Sequence, residues 1–73
     1  MLEAGIYQHY KGPKYRVIGV ATHSETEEQL VVYQALYGEY GLWVRPLSMF
    51  TELVEVDGVT VQRFTFISDQ LEA

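Results

Sequence analysis

Short runs of Val, Ile, Tyr, Phe and Thr recur along this chain and are broken by Gly, Pro or charged residues roughly every eight to twelve positions. β-branched and aromatic side chains suit a pleated, half-buried surface, so the pattern predicts many short strands rather than a few helices. Within 73 residues such strands have room for one core only. The expectation is an all-β fold, an SH3-like small barrel of roughly five or six strands with one short helical turn. Residues 1–73 form its single domain, and the polar, acidic 68–73 is a tail expected to fray. The alternative is an α+β fold with one helix.

The punctuation places the elements. Gly5 to Tyr10 reads as a strand, Lys11-Gly12-Pro13-Lys14 as its turn, and Tyr15 to His23 as a long curved strand with a bend at Gly19. In that strand Tyr15, Val17, Gly19 and Ala21 would share one face. Over 30–37 two templates compete. Ser24 and Glu27 match a helix capping box, and Leu30, Tyr33, Leu36 or Tyr37 and Tyr40 recur at helical spacing. Adjacent Val31 and Val32 followed by Tyr33 favour strand, which also supplies a partner for the neighbouring strands. Leu42 to Arg45 is a short strand stopped by Pro46, and Pro46 to Phe50 suits one helical turn with Leu47 and Phe50 inward. Asp57-Gly58 is the strongest turn signal, because a type I′ hairpin needs positive φ at both central residues. Its arms would be Thr51 to Val56 and Val59 to Ile67, with Phe64 and Phe66 in the core.

Composition removes several functions. Cysteine is absent, which excludes disulfides, thiolate metal sites and thiol chemistry. Ten acidic against five basic residues leave a net charge of -5, which disfavours nucleic acid and anionic lipid. The opening Met1-Leu2-Glu3 lacks a basic, then apolar leader, and no apolar run approaches the ~18 residues of a membrane span, so a soluble, cytoplasmic protein without membrane contact is expected.

Several motifs together resemble a bacterial family of unknown function, DUF1653. They are Gly5 with Tyr7, His9-Tyr10-Lys11-Gly12, Tyr15 with Val17, and His23-Ser24-Glu25-Thr26 leading into Val31-Val32-Tyr33. Ala35-Leu36-Tyr37-Gly38, Leu42-Trp43-Val44-Arg45-Pro46, Met49-Phe50, Gly58 and Arg63-Phe64 complete the match across almost the whole chain. The resemblance implies a small β-rich bacterial domain, stand-alone or fused. It carries over no catalytic residue.

The densest grouping of charged, hydroxyl and aromatic residues runs from His23 to Pro46. Trp43 and Arg45 share one face of a strand, and Tyr33 and Tyr37 one face of its expected neighbour. Where those faces coincide, an aromatic wall beside a guanidinium can stack a planar ring and pair a carboxylate or phosphate. The candidate ligand-binding residues are therefore His23, Glu25, Tyr33, Trp43 and Arg45, with His23 and Glu25 fixing orientation at the rim. The competing reading makes Trp43 core and Arg45 a tie to a loop carboxylate, Glu25 or Glu28. Arg63 either joins Arg45 in an anion site or pairs across the hairpin with Glu52 or Glu55.

The expected function is a non-enzymatic module for a small planar or anionic ligand, needing no cofactor. The alternative is a protein-interaction module using an exposed strand edge or an aromatic groove, its oligomeric state open. His23-Ser24-Glu25 holds the parts of a hydrolytic triad, but neighbouring strand residues leave opposite faces and no G-x-S-x-G elbow is present. His9 and His23 lack the spacing of a metal site. Ala35-Leu36-Tyr37-Gly38-Glu39-Tyr40 echoes the A-L-Y-D-Y signature of SH3 domains, in the wrong context for polyproline recognition.

Overall fold

The chain opens with the expected hairpin. In the computed structural model, which describes residues 2–69, β1 (Gly5–His9) pairs antiparallel with β2 (Lys14–Thr22). Lys14 to Thr22 is long enough to curve, and its register against β3 (Gln29–Ala35) shifts between Val17 and Gly19. Ile18 is the extra residue of this bulge, and it reverses the facing of everything beyond it. Val20 therefore lies opposite buried Val31, and Ala21 is exposed, where strict alternation would have set Ala21 inward. Gln29–Ala35 is strand, as the β-branched pair argued, and Tyr37 lies beyond its end.

β4 (Leu42–Pro46) forms the far edge on β3, and α1 (Leu47–Phe50) follows at once with Pro46 as its N-cap. The Ala35 N–H donates to the Gly41 carbonyl at 3.0 Å, which fixes the hydrogen-bonding phase of this pair. Residues 41, 43 and 45 turn their backbone groups toward β3, and 42, 44 and 46 turn theirs outward. Pro46 is tolerated because its missing N–H faces the free edge.

β5 (Leu53–Val56) and β6 (Val59–Gln62) form the hairpin at Asp57-Gly58, with φ of 51° and 80° at the turn. Its second arm is shorter than expected. The chain breaks at Arg63, whose N–H donates to the Glu52 carbonyl and whose carbonyl accepts from the Tyr10 N–H. β7 (Phe64–Ser68) then joins β1 instead. Ser68, expected to fray, lies opposite Ile6 in that pairing, and 70–73 of the expected tail lies outside the described residues.

Among the described residues the outcome is all-β with one short helix, but seven strands and no closed barrel. One sheet runs β4-β3-β2-β1-β7 and the other holds β5 and β6 alone, so no pairing joins β4 to β7. Closure needs a continuous stagger around the ring, and the diversion at Arg63 takes β5 and β6 out of it. No helix among the described residues is long and apolar enough to cross a membrane.

The core lies on one face of the large sheet under α1. It comprises Tyr7, Val17, Val31, Tyr33, Phe50 and Phe64, with Leu2, Tyr15 and Leu47 packed against them. Phe50 stacks on Phe64 at 4.1 Å and meets Tyr7 and Tyr33 edge-on at 5.5 Å. Phe66, expected inside, is 38% exposed because β7 is an edge strand, with no further strand among the described residues to cover that ring.

Candidate functional site

Opposed residues of an antiparallel pair share a face, so Tyr33 with Trp43 and Val31 with Arg45 all lie on the core side of the sheet. Tyr33 is buried and roofs onto Phe50. Trp43, one strand further out, has left the core and is 58% exposed. Arg45 is half-buried between these extremes.

The Arg45 guanidinium is held loosely. Its Nε donates to the Tyr33 hydroxyl at 3.4 Å, longer than a strong hydrogen bond. Its carbon lies 5.8 Å from the Phe64 ring centroid, near the outer limit of a cation–π contact. Neither Glu25 nor Glu28 neutralises it. Among the described residues the ion pair is Arg63 with Glu52, at 3.1 Å, one of the two cross-hairpin partners the sequence offered. Arg45 is thus a half-buried cation over an aromatic floor with no carboxylate partner among the described residues.

Tyr15 extends that floor. It meets Tyr33, Tyr37 and Phe64 edge-on at 5.4–5.6 Å, and its hydroxyl shares a 2.8 Å hydrogen bond with that of Tyr37. Burial, then the bond to Tyr37, push the Tyr15 hydroxyl up to about 12, so it stays a neutral polar group. His9 lies opposite Phe64 in the β1–β7 pair and touches its ring edge-on at 5.0 Å. Burial first, then Arg63, Lys11 and Arg45, lower its pKa below the ordinary imidazole value. Three of the chain's five basic side chains thus act on one imidazole, although they are scattered in sequence. The His9 Nδ1 accepts from the Lys11 N–H at 3.1 Å, which leaves Nε2 of the neutral ring as the donor.

His23 and Glu25 sit elsewhere. They belong to the β2–β3 loop, where the His23 Nδ1 accepts from the Glu25 and Thr26 N–H groups at 3.1 and 3.3 Å. The His23 N–H donates to the Glu28 carbonyl, and the His23 carbonyl accepts from Glu27. The imidazole organises its own loop, and Glu25 offers it a backbone N–H rather than a carboxylate. The loop closes beside Gln29, four residues along β3 from Tyr33, or roughly 13 Å at strand rise. No hydrogen bond or ion pair joins His23 or Glu25 to Tyr33, Trp43 or Arg45. The structure therefore brings together three of the five predicted residues.

Sequence reasoning missed Tyr15 and His9, which meet the same Phe64 ring that Arg45 overlies. The Tyr15 and Tyr37 hydroxyls meet across 22 positions, through a register that depends on the bulge at Ile18. Among the described residues no three His, Asp or Glu side chains gather as metal ligands would.

Two comparisons speak to relatives. A family model described as a protein of unknown function (DUF1653) matches residues 5–66. A crystal structure of a protein belonging to DUF1653 from Bordetella bronchiseptica superposes with a TM-score of 0.87 at 32% identity, covering 99% of this chain and 95% of that one. No curated protein matches the chain.

Proposed function

The chain belongs to the DUF1653 family, and we propose that it is a non-enzymatic binding module for a small planar anion, acting in the bacterial cytoplasm. The observation that carries this reading is Arg45: a half-buried guanidinium without a carboxylate partner among the described residues, next to an exposed indole on the same strand face. Charge in such a position costs free energy, and an incoming carboxylate or phosphate would offset that cost through a forked, charge-assisted pair of hydrogen bonds. Trp43 and Arg45 are two residues apart on one face, about 7 Å, so the fitting ligand is one ring with its anionic group attached. The Tyr33 hydroxyl accepts from Arg45, which leaves its own proton free to donate to the same anion. The bacterial source of the similar solved structure supports the setting.

Trp43 is the sole tryptophan, so its fluorescence reports on the site without labelling. Titration with aromatic carboxylates and mononucleotides should give saturable quenching that weakens at least tenfold in Arg45→Met. Quenching of equal strength in wild type and Arg45→Met would remove the guanidinium from the reading.

A further inference from the structure

The outer edge of β4 carries three consecutive exposed apolar side chains, Leu42 at 66%, Trp43 at 58% and Val44 at 59%. Such an edge is ordinarily guarded by a charge, a bulge or a covering loop. The β3–β4 register is free of bulges, and the first guards met along the strand are Arg45 and Pro46 at its end. The opposite edge, β7, joins its neighbour through a register shift at Ile6 and Tyr7.

The hydrogen-bonding phase makes the β4 edge complementary to itself. Leu42 and Val44 present both N–H and C=O outward, as the Ala35–Gly41 bond requires. A second copy rotated about an axis normal to the sheet at Trp43 sets Leu42 against the partner's Val44, and Val44 against the partner's Leu42. Each of those pairs exchanges both of its backbone hydrogen bonds. Pro46, which lacks a donor, lies outside them.

Side chains agree with this register. On the outer face Leu42 and Val44 meet the partner's Val44 and Leu42, covering the most exposed apolar surface of the strand. On the core side Trp43 meets the partner's Trp43, and Arg45 comes opposite the partner's Gly41, where no side chain stands in its way. A Cβ at Gly41 would lie 3.6 Å from the Trp43 Nε1 of its own chain, so the indole leans over this glycine. The guanidinium itself stays on its own chain's Tyr33 and Phe64, so the pairing neither displaces it nor buries it against a like charge.

We infer that the chain forms a two-fold homodimer through antiparallel β4–β4 pairing, which joins two five-stranded sheets edge to edge with both aromatic faces on one side. The pairing does not depend on a ligand at Arg45.

Sedimentation velocity across micromolar to millimolar concentrations tests it. Wild type should move toward twice the 8.4 kDa chain mass, and Val44→Lys, which puts a charge into the seam, should stay at 8.4 kDa. Wild type that remains monomeric at the highest concentration overturns the inference. So does a dimer that survives both Leu42→Lys and Val44→Lys. Amide hydrogen exchange on the unmodified protein gives the same answer without relying on a variant. The Leu42 and Val44 N–H groups should gain at least tenfold protection as concentration rises, and exchange that does not respond to concentration refutes the pairing.

Discussion

Replacing Arg45 by Met separates a guanidinium kept for binding from one kept for folding. Methionine retains the apolar stem over the aromatic floor and removes only the charged head. What the fold would lose is small. The bond to Tyr33 is 3.4 Å long and contributes little of the ~1 kcal/mol of a good hydrogen bond, and the 5.8 Å approach to Phe64 is worth about 0.5 kcal/mol. Against that, the variant no longer holds a half-buried charge without a carboxylate partner among the described residues. The two effects nearly cancel, so stability should change by no more than about 0.5 kcal/mol. With a urea dependence of about 1 kcal/mol/M for so small a domain, the unfolding midpoint should move by less than ~0.5 M. Arg63→Met, which breaks the 3.1 Å pair with Glu52, sets the scale for a structural arginine at a cost of roughly 1 kcal/mol. If Arg45→Met instead lowers stability by about 2 kcal/mol or more, Arg45 is a structural tie and the binding argument fails.

Three further outcomes follow from the same geometry. Tyr15 holds its proton in the folded state up to about 12, against 10.0 for the free side chain, so the stability it contributes is intact below pH 10 and is lost as pH rises from there through 12. Alkaline unfolding of Tyr15→Phe should lack this component, and an unchanged pH profile would contradict it. The His9 imidazole should titrate below 6.5 by NMR, so its neutral form contributes stability that is lost as pH falls below 6.5, and Arg45→Met should move the midpoint back upward; a midpoint at or above 6.5 refutes the environment described. Gly5 has φ of 145°, and a Cβ there would stand 2.5 Å from the Ser68 carbonyl oxygen, so Gly5→Ala should cost roughly 1–3 kcal/mol in chemical denaturation, and a neutral result would contradict the β1–β7 register.

Features decided by local chemistry were legible in the sequence. Asp57-Gly58 needs positive φ wherever it turns, Pro46 stops one element and starts the next, and Val31-Val32-Tyr33 resists the helix that Ser24 and Glu27 would cap. Features decided by register were not. One bulged residue, Ile18, reverses the inward set of β2, and one backbone junction at Arg63 ends β6 and sends Phe64–Ser68 to β1, which keeps the sheet open. The candidate site divides the same way. Tyr33, Trp43 and Arg45 were predictable from alternation on two adjacent strands. His23 and Glu25 are close to them in sequence, but the loop turns the imidazole onto its own backbone. Tyr15 and His9 come to the Phe64 ring that Arg45 overlies only through long-range pairing.

The most direct test of the site is an NMR titration that follows two side-chain resonances, the Arg45 Nε–H and the Trp43 Nε1–H, as benzoate or a mononucleotide is added. Saturable shifts of both on one binding curve, with the Arg63 Nε–H unmoved, are the predicted result. Shifts that never saturate, or that appear equally at Arg63, would mean that these residues form no site for a planar anion.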